Sequence, residues 1–306
     1  METEIQRRLQ QEGKMTIYTC GETFEEMMTC VYEAWAGRRG HANVKLQLEP
    51  VEQPELFCEY ISVSADAKKA EKVVRAIRQK ISAEAYRQVF YAAMSFYPDR
   101  LDAIYRFLIL GFACGAGVTK MFSEPSVMRV LELSRKAGNE MHYFREFTRF
   151  TAIDGYETVQ ASDAGREGAE TDFDADESCA VQNNDADAQR VSAKVYVAHI
   201  EPKCNIAALT ANHFADRMPS EAWMIIDDNR RIAAVHPKDQ PFYMTVLTEE
   251  EMQKLAETER RGDIFTELWK EFFRTIGIEQ RRNAKCQRNM MPLWYRKHVT
   301  EFLTAE

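Results

Sequence analysis

The chain has 306 residues, 45% hydrophobic and 11% aromatic, which suits one large domain or two modest ones with a substantial core and excludes a disordered protein. No apolar run approaches the roughly 20 residues needed to cross a bilayer, and the polar start METEIQRRLQQEGKM lacks the apolar stretch of a secretory signal, so no membrane partner and a cytoplasmic location are expected. The formal charge of −8 does not exclude a polyanion: residues 154–190 hold eleven acids and two arginines, whereas Arg260 to His298 hold ten Lys/Arg against four Asp/Glu.

MTIYTC (15–20) reads as a strand, and GETFEEMMTCVYEAW as the following helix, with Thr23 as N-cap and Glu26 three residues later completing a capping box. ELFCEYISVS (55–64) alternates as a strand does. Helical patterns follow over 66–82, over 84–95 after Ser82, and over 99–114 after Pro98, where Asp99 can cap. GFACGAG matches neither GxGxxG nor the Walker pattern and reads as a helix terminator. Pro125 opens a long periodic helix over 125–146, and Phe147 to Ile153 reads as a strand with Phe147 and Arg149 on one face. The acidic stretch after it is nearly free of large apolar residues and cannot bury enough surface to fold. SAKVYVAHI (192–200) is a strong strand, so a pairing of 147–153 with 192–200 would enclose the excursion. Residues 205–217 form a helix, AWMIIDD a strand, NR a turn, RIAAVHP its hairpin partner and PFYMTVL another strand. An amphipathic helix runs from Glu249 to Ile276, broken at Gly262. The C-terminal stretch is helical until Pro292 interrupts it.

Strands that arrive as hairpins favour an α+β fold, with an antiparallel sheet packed by several helices and a helical N-terminal half. The expected parts are a mobile tail (1–14), a mainly helical α/β part (15–153), a disordered acidic insertion (154–190) and an α+β part (191–306) that completes one sheet with 147–153. Seven scattered cysteines without a CxxC pair predict free thiols and argue against a cysteine-held zinc or iron–sulfur site.

Two sets of residues are chemically suggestive. His142, His199, His213 and His236 converge if the sheet folds this way; neutral imidazoles bind metals, and Asp227 or Glu201 would add an oxygen ligand or a base. A divalent metal is the one cofactor this leaves open, but no HExxH or HxH spacing is present, and ordinary histidines are the alternative. The second set is Arg145, Arg149, Arg217, Arg230 and Arg231, interleaved with Phe147, Phe150, Phe214, Trp223 and Trp294. Arginine forks suit phosphate oxygens while bases stack on rings. The alternative is that the aromatics are core and the arginines pair with Glu140, Glu146, Asp216 or Asp227. Near the C-terminus Arg281, Lys285 and Arg288 share a helix face and Arg282 adjoins it, so this run can track a phosphate backbone or serve as a solvated, salt-bridged face.

Three segments together, MHYFREFTRF (141–150), LTANHFADRMPSEAWMIIDDNRRIAAVH (209–236) and EQRRNAKCQRNMMPLWYRKHVTEF (279–302), resemble a bacterial family of uncharacterised proteins described as probable DNA metabolism or putative DNA repair proteins. The resemblance covers residues 15–302, with 155–190 the least alike. It implies a setting beside a radical S-adenosylmethionine protein proposed to modify or repair DNA. Some members of that family carry an added uracil-DNA glycosylase-like domain, for which the span to Glu306 leaves no room, so glycosylase activity is not expected here. Tyr143 stands where the family has an arginine after the histidine. Any iron–sulfur chemistry would belong to the partner.

The reading that follows is an accessory nucleic-acid-binding protein, with Arg145, Arg149, Arg217, Trp223, Arg281, Arg282, Lys285 and Arg288 on the ligand. The alternatives are a metal-assisted enzyme acting on a nucleotide or phosphodiester through His142, His199, His213 and Asp227, and a pure protein-interaction subunit.

Overall fold

The computed structural model describes residues 15–51, 53–154, 194–259, 264–276 and 283–302. The expected tail and nearly all of the expected acidic insertion lie outside them. The fold is α+β, in two compact units: Met1–Phe147 with Glu201–Thr210, and Thr148–Ile200 with Ala211–Glu306.

In the first unit β1 (Thr16–Cys20) leads into α1 (Phe24–Ala36), whose Thr23 and Glu26 form the expected capping box. β2 (Val44–Leu48) and β3 (Glu59–Ser62) flank β1, giving a three-stranded sheet in the order β2-β1-β3. Both pairings are parallel. That departs from the hairpin expectation: β2, with buried Val44, Leu46 and Leu48 alternating with Lys45 and Gln47, was not anticipated, and α1 is the crossover that makes a parallel pair reachable. Every residue of β1 is buried, as befits a central strand covered on both faces.

Four helices follow: α2 (Ala67–Ala76, continued by a π turn over Ile77–Ile81), α3 (Ala83–Met94), α4 (Arg100–Cys114) and α5 (Pro125–Phe147). Asp66 caps α2 by accepting from Lys68 and Lys69 N–H, and Ser82 caps α3 by accepting from Ala85 N–H. Asp99 sits at the N-cap of α4 but makes no capping bond; its carboxylate instead takes both arms of Arg129, at 2.7 and 2.8 Å. Gly111 lets α4 approach closely, because a Cβ there would lie 2.6 Å from Ile81. Gly115, at φ +63, ends the helix as GFACGAG suggested.

Together with the following 3-10 turn, Arg100–Lys120 is, among the described residues, the one stretch long and apolar enough to cross a membrane, contrary to the expectation of no such run. Packing accounts for its apolar face: Leu101, Ile104, Tyr105, Phe107 and Leu108 are fully buried in the first unit's core. Glu140 on α5 is also buried, and its carboxylate accepts from the Lys203 and Cys204 N–H groups at 2.6 and 3.0 Å.

α5 runs through Phe147, so the strand expected over 147–153 shrinks to β4 (Thr151–Asp154). The helical period set by Val127, Val130, Leu133, Ala137, Met141 and Phe144 continues to the end of FREF, and hydrogen bonds that extend a formed helix come more readily than a new strand's. The second unit holds a five-stranded sheet in the order β4-β5-β6-β7-β8. Its strands are β4, β5 (Lys194–Ile200), β6 (Ala222–Asp227), β7 (Ile232–His236) and β8 (Tyr243–Val246). β4 pairs antiparallel with β5, Thr151 opposite Val197. β6–β7 and β7–β8 are antiparallel hairpins as expected. β5 and β6 are parallel, joined through α6 (Ala207–Arg217), whose first residues count with the first unit. α7 (Glu249–Glu259), α8 (Ile264–Ile276) and α9 (Ala284–Met290) complete the unit, with 3-10 turns over Leu293–His298 and Thr300–Phe302.

Candidate functional site

The arginines sort into engaged and open groups. Arg149 reaches from the start of the second unit to Glu301, 2.7 Å between Nη2 and Oε1, and that carboxylate is nearly buried. Burial would push the Glu301 carboxyl up, but hydrogen bonds and charge from Arg149 outweigh it and hold the group below the usual glutamate range. Arg230 is held by Asp227 at 3.0 Å and Arg231 by Glu249 at 2.7 Å. Only Arg230–Asp227 is a pair that the alternative reading named; Arg149 is engaged by Glu301 instead, a bolt in the fold, which corrects its expected place on a nucleic acid. Arg145, in the last turn of α5, is half-buried with an Nε that has no hydrogen-bond partner. Arg217 ends α6, where a cation favours the helix dipole, and is exposed.

Lys285 and Arg288 behave differently. Both lie on α9, where every residue is exposed, and neither makes an ion pair among the described residues. Among the described residues Arg288 donates to the Ala284 carbonyl one turn back, at 3.2 Å. Trp294, 40% exposed, follows in the next turn with its ring 3.7 Å from that of buried Tyr295. Arg281 and Arg282 lie outside the described residues.

Trp223 is a second correction. It is 1% exposed, stacks on His236 at 4.7 Å with the rings 2° from parallel, and donates its Nε1–H to the Met218 carbonyl. Phe150 and Phe214 meet each other edge-to-face at 5.0 Å beside it. This cluster is core, and a buried indole offers no face to a base. The place of Trp223 on β6 opposite His236 on β7 turns it inward, which residue type alone could not show.

The histidines are distributed otherwise than expected. His142 is exposed on α5 in the first unit, with Glu146 at 3.1 Å. His213 lies against the Phe214 ring on α6, and the Nδ1 of buried His236 meets the Glu221 carbonyl at 3.0 Å. Asp227 is fully buried: burial pushes its carboxyl up, countered by Arg230, whose guanidinium and backbone N–H both donate to it. It is tied into its turn and offers no open oxygen ligand, so it serves as the turn's clamp, not as the expected base. Glu201, next after β5, counts with the first unit.

A different set comes together in the second unit. The parallel register puts Ile200 beside Asp227, and the Asp228 N–H donates to the Ile200 carbonyl at 3.0 Å. Asp228 therefore stands just past the carboxyl ends of two adjacent parallel strands, the edge at which open sheets with crossover helices present ligand-binding groups. There His199 Nδ1 lies 2.8 Å from Asp228 Oδ1, and His298 Nε2 lies 3.6 Å from Oδ2 of the same carboxylate. The two imidazoles are roughly stacked, 5.9 Å between centroids. His298 is carried by the 3-10 turn that buries Tyr295, with buried Val299 next to it, so the core fixes the turn that presents it. All three side chains are partly accessible, at 21 to 29%. Of these, only His199 was among the expected site residues. The DDNR turn held the signal for Asp228, two successive acids of which a strand can bury one. Nothing local marks His298, which lies 70 residues further on.

The end of this mixed sheet therefore carries a carboxylate between two imidazoles. The chain belongs to the DUF4130 family, a domain of unknown function, whose family model matches residues 98–163 and 188–301. His199, Asp228, Lys285, Arg288, Trp294 and His298 all lie within the matched segments. No curated protein and no solved structure matches the chain.

Proposed function

We propose that this protein binds nucleic acid, as a cytoplasmic accessory factor of a DNA modification or repair system that works beside a radical S-adenosylmethionine enzyme. One observation carries the binding: among the described residues α9 presents Lys285 and Arg288 with no residue buried and no carboxylate paired to them, while Arg149, Arg230 and Arg231 of the same unit are neutralised. A helix of seven residues with no packed face gains nothing from the core. Its cations, with the half-exposed ring of Trp294 one turn on, form a combination that suits a phosphate backbone and an unstacked base. The DNA system and the radical partner rest on the resemblance of residues 141–150, 209–236 and 279–302.

The test is titration of fluorescent single- and double-stranded DNA at several salt concentrations. Affinity should fall steeply with salt, and Lys285→Ala with Arg288→Ala should flatten the log–log slope by about 1.5 units, roughly 0.7–0.9 for each lost phosphate contact. Trp294→Ala should weaken single-strand binding by about 1–3 kcal/mol while leaving the slope unchanged. Absence of binding at low salt overturns the reading. A protein-interaction subunit would then take its place, favoured by Leu268, Trp269 and Phe272, which are exposed together on α8 at spacings of one, three and four.

A further inference from the structure

We infer that Asp228 and His298 form a binding site for a first-row divalent cation, with His199 holding the carboxylate in place. Asp228 Oδ2 and His298 Nε2, 3.6 Å apart, are too far for a hydrogen bond. They stand close to the separation of two ligands on one ion: bonds of about 2.1 Å at tetrahedral to octahedral angles put donor atoms roughly 3.0–3.4 Å from one another. The other carboxylate oxygen is already committed to His199 at 2.8 Å, the kind of outer hydrogen bond that orients a ligating carboxylate. The three groups come from the end of β5, the β6–β7 turn and the C-terminal 3-10 turn. Each is anchored by a neighbour that the core holds: Ile200, Asp227 and Tyr295 are all buried.

An imidazole and a carboxylate together suit Mn²⁺, Fe²⁺ or Zn²⁺ better than Ca²⁺, which takes oxygen alone. Asp228 and His298 fill two coordination positions and leave others for further ligands. On the nucleic-acid reading, and only on it, phosphate oxygens are the further ligands. His298 shares its turn with Trp294 and lies ten residues after Arg288, so one continuous segment carries both the basic helix and the ion ligand.

The experiment is a titration of Mn²⁺ into the full, chelator-stripped chain without nucleic acid, followed by calorimetry and by the paramagnetic resonance signal of free Mn²⁺. One saturable site per chain is expected. Asp228→Asn and His298→Gln should each weaken it at least tenfold, and His199→Gln by less, while Glu250→Gln, an exposed acid on α7, leaves it unchanged. Thermal melts confirm that each variant folds; His298 is the more accessible partner, so His298→Gln decides the matter if Asp228→Asn does not fold. No saturable binding of Mn²⁺ or Zn²⁺ up to millimolar concentration, or binding indifferent to both variants, overturns the site. Repeating the titration with single-stranded DNA present tests the phosphate ligands separately. Tighter Mn²⁺ binding supports them, and unchanged affinity removes them while leaving the ion site standing.

Discussion

The two units bury their residues to different ends. The first spends its apolar side chains on one large core, in which a three-stranded parallel sheet and α1 to α5 share buried residues from Tyr18 to Leu133. Its charged groups serve that core: Asp99 grips Arg129, Glu140 caps a bend at Lys203 and Cys204, and Arg106 donates to the His41 carbonyl at 2.6 Å. Among its described residues the second unit has a cluster around Ile153, Val197, Ile226 and Ala233 and the buried stack of Trp223 on His236, and leaves Tyr243, Met244 and Val246 exposed on its edge strand and Leu268, Trp269 and Phe272 exposed on α8. Polar groups collect at its strand ends instead. There the ends of β5 and β6 and the C-terminal 3-10 turn hold His199, Asp228 and His298 half-buried beside solvent.

Substitutions can break that contrast. The largest expected effect is in the first unit: Phe107→Ala removes a fully buried ring and should cost about 3–5 kcal/mol in denaturant unfolding. Phe272→Ala on exposed α8 should stay within about 0.5 kcal/mol. Equal losses would show the division of labour to be wrong. Next, Glu140→Ala strands the buried Cys204 N–H and frees the Lys203 N–H, and should cost about 1–3 kcal/mol; a neutral result would mean that water replaces the carboxylate at the bend.

The third prediction is a pH dependence. The Glu301 carboxyl is depressed in the folded state, so the stability it contributes is present above the ordinary glutamate pKa and lost as pH falls through the lower folded value. Arg149→Ala removes the main depressing partner and leaves burial opposed only by the backbone and Thr300 hydrogen bonds. The variant should lose about 1–3 kcal/mol at neutral pH, and the deficit should shrink as the solution is acidified and the carboxyl protonates. A deficit constant from pH 7 down to pH 3 would show that Arg149 acts through packing alone. The smallest stability effect belongs to the surface of α9: Lys285→Ala and Arg288→Ala together should shift unfolding by less than about 0.5 kcal/mol, so that any loss of DNA binding reports the ligand and not the fold.

Periodicity and capping chemistry by themselves determined most elements: the Thr23–Glu26 box, the Ser82 cap, the long helix after Pro125 and the DDNR hairpin all depend on residues a few positions apart. The α+β class followed from the order of those elements. Strand partners did not follow, because which strands lie side by side is set by crossovers and by what the sheet must cover. Val44–Leu48 and the parallel pairing of β5 with β6 emerged only in three dimensions. The same limit applied to the site. Side-chain type marked His199, Arg149 and Trp223 alike as candidates, but only tertiary packing buried Trp223 beneath His236 and closed Arg149 onto Glu301. The carboxylate between His199 and His298 also required it: strand pairing brought His199 to Asp228, and a packed C-terminal turn brought His298, residues 29 and 70 positions from it, a distance over which no local pattern persists.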